Sequence, residues 1–233
     1  MSFFYYLNEE GSYTLTPAGY TAIIIIGIII FLSGNFFLSK NNKFDAKKLA
    51  FSSIALALSM VTSNIKLFQM PMGGSVTLMS MLFVCLIGYW YGLYAGLTTG
   101  FALGILNAIV DPYIISLPQF LIDYIFAFTV LGLSGLFSGT RLTLINDNKN
   151  TSHTISGLIP GYIVAVLGRY FFSTLSGVIF FGIYAPENFP NPLTYSLIYN
   201  GSYLGLEALI TVVVILLPPV AKALDRVREM SRQ

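Results

Sequence analysis

Three ionisable side chains, Asp123, Arg169 and Glu207, fall inside long apolar runs of this sequence. The stretch LPQFLIDYIFAFTVLGLSGLF, residues 117–137, is long enough to cross a bilayer, yet it carries a carboxylate at Asp123. Charged groups are costly in hydrocarbon, so they face a bundle interior or a watery cavity and mark ligand or ion sites. Two readings follow for Asp123 and Arg169. They form a buried ion pair that fixes helix register, or they line a pocket in which Arg169 orients Asp123 and Asp123 meets a cationic or hydrogen-bonding solute. Glu207 sits deeper and reads equally as structural or functional.

The elements that must position these groups are set by composition. The chain has 233 residues, 55% hydrophobic and 9% charged, with a mean hydropathy of +0.76. Soluble domains carry about 25% charged residues, so this is a membrane protein. One cysteine, Cys85, cannot form an internal disulfide, and one histidine, His153, cannot assemble the usual zinc or iron clusters. No nucleotide-cradling glycine motif occurs, so ATP, if used, is hydrolysed by another chain. A net charge of +2 does not suggest nucleic acid as a partner.

Apolar stretches predict seven spans at roughly 17–39, 48–64, 76–89, 91–110, 117–139, 155–180 and 194–217. The third is short and reads as tilted or partly re-entrant. Lys40, Lys43, Lys47 and Lys48 follow the first span, Arg141 and Lys149 the fifth, and Lys222, Arg226, Arg228 and Arg232 the seventh. With alternating spans these fall on one side, which places the N-terminus outside and the C-terminus in the cytoplasm. A cleaved signal peptide is disfavoured because the leading segment has no basic n-region. At 1.5 Å per residue, Asp123 and Asn200 lie about 9 Å, and Arg169 about 15 Å, from the outer ends of their spans. Three helices therefore contribute polar side chains to the outer half.

The stretch SGVIFFGIYAPENFPNPLTYSLIYNGSY before and into the seventh span brings Phe180, Phe181, Tyr184, Tyr195, Tyr199 and Tyr203 together with Pro186, Pro190 and Pro192. Such rings read either as an interfacial belt or as walls for a cationic heteroaromatic ligand. The loop FQMPMGGSVT, residues 68–77, lies on the same side and is placed to close over a pocket. Gly92, Gly96, Gly100 and Gly104 recur every fourth residue, which favours close internal helix packing. Ala46 and Ala50, Ser53 and Ala57, and Ala55 and Ser59 are further small pairs. They suit either internal packing or the docking of another membrane subunit.

The segments MPMGGSVTLMSM, LPQFLIDYIFAF, RYFFSTLSGVIFFGIYAPE and YSLIYNGSY, in this order, resemble the thiamine-specific substrate-binding subunit, or S component, of energy-coupling factor vitamin importers. The resemblance covers about residues 46–217. It implies an all-α membrane protein with a six-helix bundle, a thiamine site at the outer side, a shared transmembrane scaffold subunit and two ATPases. By the same resemblance Asp123 contacts the pyrimidine of thiamine, Arg169 pairs with the acid, and Phe181 is the stacking aromatic. Tyr124, Gly177, Tyr195 and Asn200 match pocket-lining positions, and Ser53 with Ala57 is the closest match to the scaffold-docking pair. A histidine is common in the family where this chain has Ser173, and the single tryptophan, Trp90, falls near the cytoplasmic side. Residues 1–45 form an extension carrying one extra transmembrane helix, and residues 218–233 form a basic cytoplasmic tail. The alternatives are an S component for another vitamin or a thiamine precursor, an intramembrane enzyme with Asp123 as general base, and a scaffold assembled through the glycine ladder. No nucleophile beside a base and no second carboxylate at matching depth supports the enzyme.

Overall fold

The computed structural model describes residues 5–7, 13–19, 21, 22, 25, 45–138, 155–186 and 189–232. Most of the predicted first span, 17–39, lies outside the described residues, as do Lys40, Lys43, Arg141 and Lys149. Strands β1 (Tyr5–Leu7) and β2 (Tyr13–Leu15) pair antiparallel ahead of the bundle. The bundle is built from α1 (Ala46–Ser63), α2 (Ser80–Tyr91), α3 (Leu93–Val110), α4 (Leu117–Phe137), α5 (Ile155–Phe180) and α6 (Pro192–Leu216). Between α1 and α2 an antiparallel hairpin, β3 (Lys66–Gln69) and β4 (Ser75–Thr77), pairs Phe68 with Val76 and Gln69 with Ser75. Helix α7 (Pro218–Arg232) follows α6.

Local signals start these helices where they do. The Asp45 side chain caps α1 by accepting from Lys48 N at 2.7 Å. Ser116 caps α4, and Asn191 caps α6 by accepting from Thr194 N at 2.8 Å, each with a proline in the first turn. These are the side chains that satisfy orphan amides best, and proline loses nothing there.

Among the described residues, four helical stretches are long and apolar enough to cross a membrane: α3, α4, α5 from Gly157, and α6. The predicted span 76–89 is corrected. Its first residues finish β4, and the helix that follows is the twelve-residue α2. Ten of those twelve residues are buried, Met81, Val84, Cys85, Ile87 and Tyr89 completely. A helix that is apolar all round belongs at the centre of a bundle, and there it need not match the bilayer thickness.

Three of the four ladder glycines are internal, while Gly92 precedes α3 at φ +92° with nothing within 4 Å of an added Cβ. A Cβ on Gly96 would stand 2.8 Å from Gly132 Cα, one on Gly100 2.4 Å from Phe128 O, and one on Gly104 2.2 Å from Tyr124 O. Helices α3 and α4 thus meet backbone to backbone. Helix α4 is itself irregular: it starts α-helical, widens to a π-helix over Leu121–Phe126, and tightens to a 3-10 helix over Val130–Phe137.

The basic tail 218–233 is not a free extension. Ala221 is buried, and Leu224 and Val227 pack onto the core. The Arg228 guanidinium lies 4.7 Å from the Tyr89 ring centre, and the Tyr91 hydroxyl donates to Ser231 O at 3.3 Å.

Candidate functional site

A cavity of about 200 Å³ opens beside the β3–β4 hairpin, between α4, α5 and α6. All seven expected pocket residues, Asp123, Tyr124, Arg169, Gly177, Phe181, Tyr195 and Asn200, contribute to its lining, as does Ser173.

Asp123 lies inside the π-helical segment of α4. Single π-turns recur at functional sites because they re-aim side chains that a regular helix would place elsewhere. Its Oδ2 accepts from Gln119 Nε2 at 2.7 Å. Gln119, 1% exposed, also donates from Nε2 to Tyr113 O at 3.0 Å and accepts from Ile115 N at 3.3 Å. One amide thus joins the carboxylate to the 111–116 loop. The neighbouring Tyr124 hydroxyl accepts from Tyr113 N at 2.7 Å and donates to Asp111 O at 3.1 Å. Tyr124 therefore spends its hydroxyl on holding the loop.

The expected pairing of Arg169 with Asp123 is not formed. The Arg169 guanidinium lies over the Phe128 ring, 4.1 Å from its centre, and its buried Nε has no partner. Gln119 reaches the carboxylate from one turn away on the same helix, while the guanidinium settles on an aromatic face, a favourable place for a planar cation.

Gly177 is where α5 and α6 come together. A Cβ there would stand 2.1 Å from Ser196 Oγ and 3.2 Å from Asn200 Nδ2. The Ser196 hydroxyl donates to Thr174 O at 2.8 Å. Asn200, 5% exposed, donates from Nδ2 to Ser196 O and Oγ at 2.9 and 3.1 Å and accepts from the Tyr203 hydroxyl at 2.9 Å. The asparagine amide is thus oriented by its own helix.

The walls are aromatic. Phe181 stacks on Tyr113 with ring centres 5.9 Å apart and planes 21° apart. Tyr195 meets Phe189 edge-on at 5.2 Å and lies 5.7 Å from Tyr199, which in turn lies 5.8 Å from Tyr203. The Tyr199 hydroxyl accepts from Gly74 N at 2.9 Å and donates to Pro71 O. It ties the hairpin tip to α6. Further in, Glu207, 2% exposed, accepts from Thr77 N at 3.0 Å, Thr77 Oγ1 at 2.7 Å and Ser80 Oγ at 3.2 Å. At the rim, Lys66 and Asp111 form an ion pair at 2.8 Å.

Tyr113, Gln119 and Ser196 had no separate signal as site residues. Only the i to i+4 spacing of Gln119 to Asp123 and of Ser196 to Asn200 hinted at two of them, and nothing pointed to Tyr113. The arrangement suits binding of a flat cation: one hydrogen-bonded carboxylate, aromatic walls and an unpaired guanidinium edge.

On α1, Ser53 and Ala57 are exposed, and so are Ala46 and Ala50. The two alternative small pairs therefore form one stripe at spacing 4, 3, 4. Ala55 and Ser59 are buried instead, with Ser59 Oγ donating to Ser80 O at 2.6 Å.

Residues 49–225 match the family described as thiamine transporter protein (Thia_YuaJ). The thiamine transporter ThiT of Bacillus subtilis is 36% identical over 151 residues, covering 64% of this chain and 77% of that protein. ThiT of Lacticaseibacillus paracasei is 31% identical over 129 residues, 53% of this chain and 63% of that one. A solved structure of ThiT from Listeria monocytogenes superposes with a TM-score of 0.64 at 26% identity, covering 76% of this chain and 96% of the other. The bundle, its membrane-capable helices and these matches together identify a multi-pass membrane transport protein rather than an enzyme, and the chain belongs to the thiamine transporter family.

Proposed function

We propose that this protein is the thiamine-capturing S component of an energy-coupling factor importer, taking thiamine from outside for uptake driven by a scaffold subunit and two ATPases. The observation that carries the reading is one cavity that gathers Asp123, Arg169, Gly177 and Asn200 with the rings of Phe181 and Tyr195. Thiamine joins an aminopyrimidine, which needs hydrogen-bonding partners, to a cationic thiazolium, which needs aromatic faces and negative charge. In this reading the hairpin end of the bundle faces outside. The C-terminus is cytoplasmic, in keeping with Lys222, Arg226, Arg228 and Arg232 near the other end.

Release to the cytoplasm then falls to partner subunits, and the exposed small stripe of α1, ending in Ser53 and Ala57, is the face for close approach of a scaffold helix. Calorimetric titration of the purified protein with thiamine, riboflavin and biotin tests the substrate. Saturable binding of thiamine alone is expected, and binding of riboflavin or biotin in its place would overturn the assignment.

A further inference from the structure

Among the described residues, five side chains with formal charge line the cavity: Lys66, Asp111, Asp123, Arg169 and Glu207. Lys66 and Asp111 neutralise each other at the rim. That leaves Asp123 and Glu207 against the single guanidinium of Arg169, an excess of one negative charge. Glu207 lies seven residues beyond Asn200, about 10 Å further along α6. Its Oε2 takes a backbone amide, which can only donate, and the Thr77 hydroxyl, while Ser80 Oγ lies 3.2 Å from Oε1 but only 2.7 Å from Thr77 Oγ1, to which its single proton can go instead. Two donors converge on Oε2, and Oε1 keeps acceptor capacity.

We propose that Glu207 is a specificity-determining residue of this cavity, supplying the negative charge that selects a monocationic ligand over a neutral one of the same shape. The proposal rests on the thiamine reading above. It separates two tasks. Asp123, held by Gln119, offers a fixed hydrogen-bond acceptor, while Glu207 acts through its field and needs no direct contact with the ligand. Glu207 is itself buried, and a charge held in the interior is screened less than one at the surface. Its bonds to Thr77 and Ser80 also brace the root of the hairpin, so the test must distinguish charge from bracing.

The test uses the full chain in lipid nanodiscs, titrated calorimetrically with thiamine and with its neutral isostere, in which carbon replaces the thiazolium nitrogen. The wild type is expected to prefer thiamine. Glu207→Gln keeps an oxygen for the Thr77 amide and should lower the ratio of the two affinities by about tenfold. Glu207→Asp, which keeps the charge, should preserve the ratio even if both affinities fall. An unchanged ratio in Glu207→Gln, or a collapsed ratio in Glu207→Asp, overturns the charge role and leaves a brace. Should Glu207→Gln not fold, the wild type and Glu207→Asp still decide: equal affinity for both ligands in either one overturns the proposal. Failure of the wild type to bind thiamine at all is a different result. It overturns the substrate reading and the inference with it.

Discussion

The Gln119 side-chain amide donates to Asp123 Oδ2 at 2.7 Å, so the carboxylate is oriented from its own helix and not by Arg169. Both residues lie at or beside the π-helical turn of α4, and the same amide binds Tyr113 O. Asp123→Asn is expected to weaken thiamine binding by about 2 kcal/mol or more, because a charged acceptor is lost from a partly buried site. Gln119→Leu should cost about 1–2 kcal/mol by leaving the carboxylate unfixed. Titration of folded variants checks both, and wild-type affinity in Asp123→Asn would make that residue structural.

Phe181 and Tyr195 line the cavity from opposite sides of the α5–α6 connection. Replacing either by alanine should cost about 1–2 kcal/mol of thiamine binding, with little change in melting temperature. The opposite pattern, lost thermal stability with intact affinity, would assign these rings to an interfacial belt.

The glycines separate by what surrounds them. Gly104→Ala places a methyl 2.2 Å from Tyr124 O, a backbone atom that cannot turn aside, whereas a methyl on Gly205 meets nothing within 4 Å. Gly104→Ala should destabilise the bundle by about 2–3 kcal/mol. Gly205→Ala should be neutral or stabilising by up to about 1 kcal/mol from helix propensity. Thermal unfolding in one detergent compares them directly, and equal stability would contradict the α3–α4 contact.

Ser53→Trp or Ala57→Trp should abolish thiamine uptake in cells while the purified protein still binds thiamine. Both positions are exposed on α1, and the Ser53 hydroxyl is spent on Leu49 O of its own helix. Neither supports the bundle interior. Co-purification with the scaffold and ATPases is the measurement. Normal assembly and uptake in these variants would move the docking face away from this stripe.

The sequence by itself determined that the chain lives in a membrane, where most apolar helices lie, and which polar residues had to be sheltered together. Asp123, Arg169 and Asn200 were legible because an ionisable or amide group in an apolar run has few tolerable environments. Their convergence on one cavity with Gly177, Phe181 and Tyr195 came from family-specific motifs, which record a tertiary arrangement that no local pattern encodes. What only the tertiary structure decided was pairing. Arg169 could be matched to Asp123 by charge and depth, but whether a guanidinium reaches a carboxylate depends on side-chain distances across two helices, and here Phe128 and Gln119 were nearer. The π-turn at Asp123 was hidden for a related reason, since it arises where α4 must meet the glycine face of α3 and still aim a side chain into the cavity. The short α2 shows the limit of hydropathy: an apolar run looks the same whether lipid or protein surrounds it, and only packing showed that protein does.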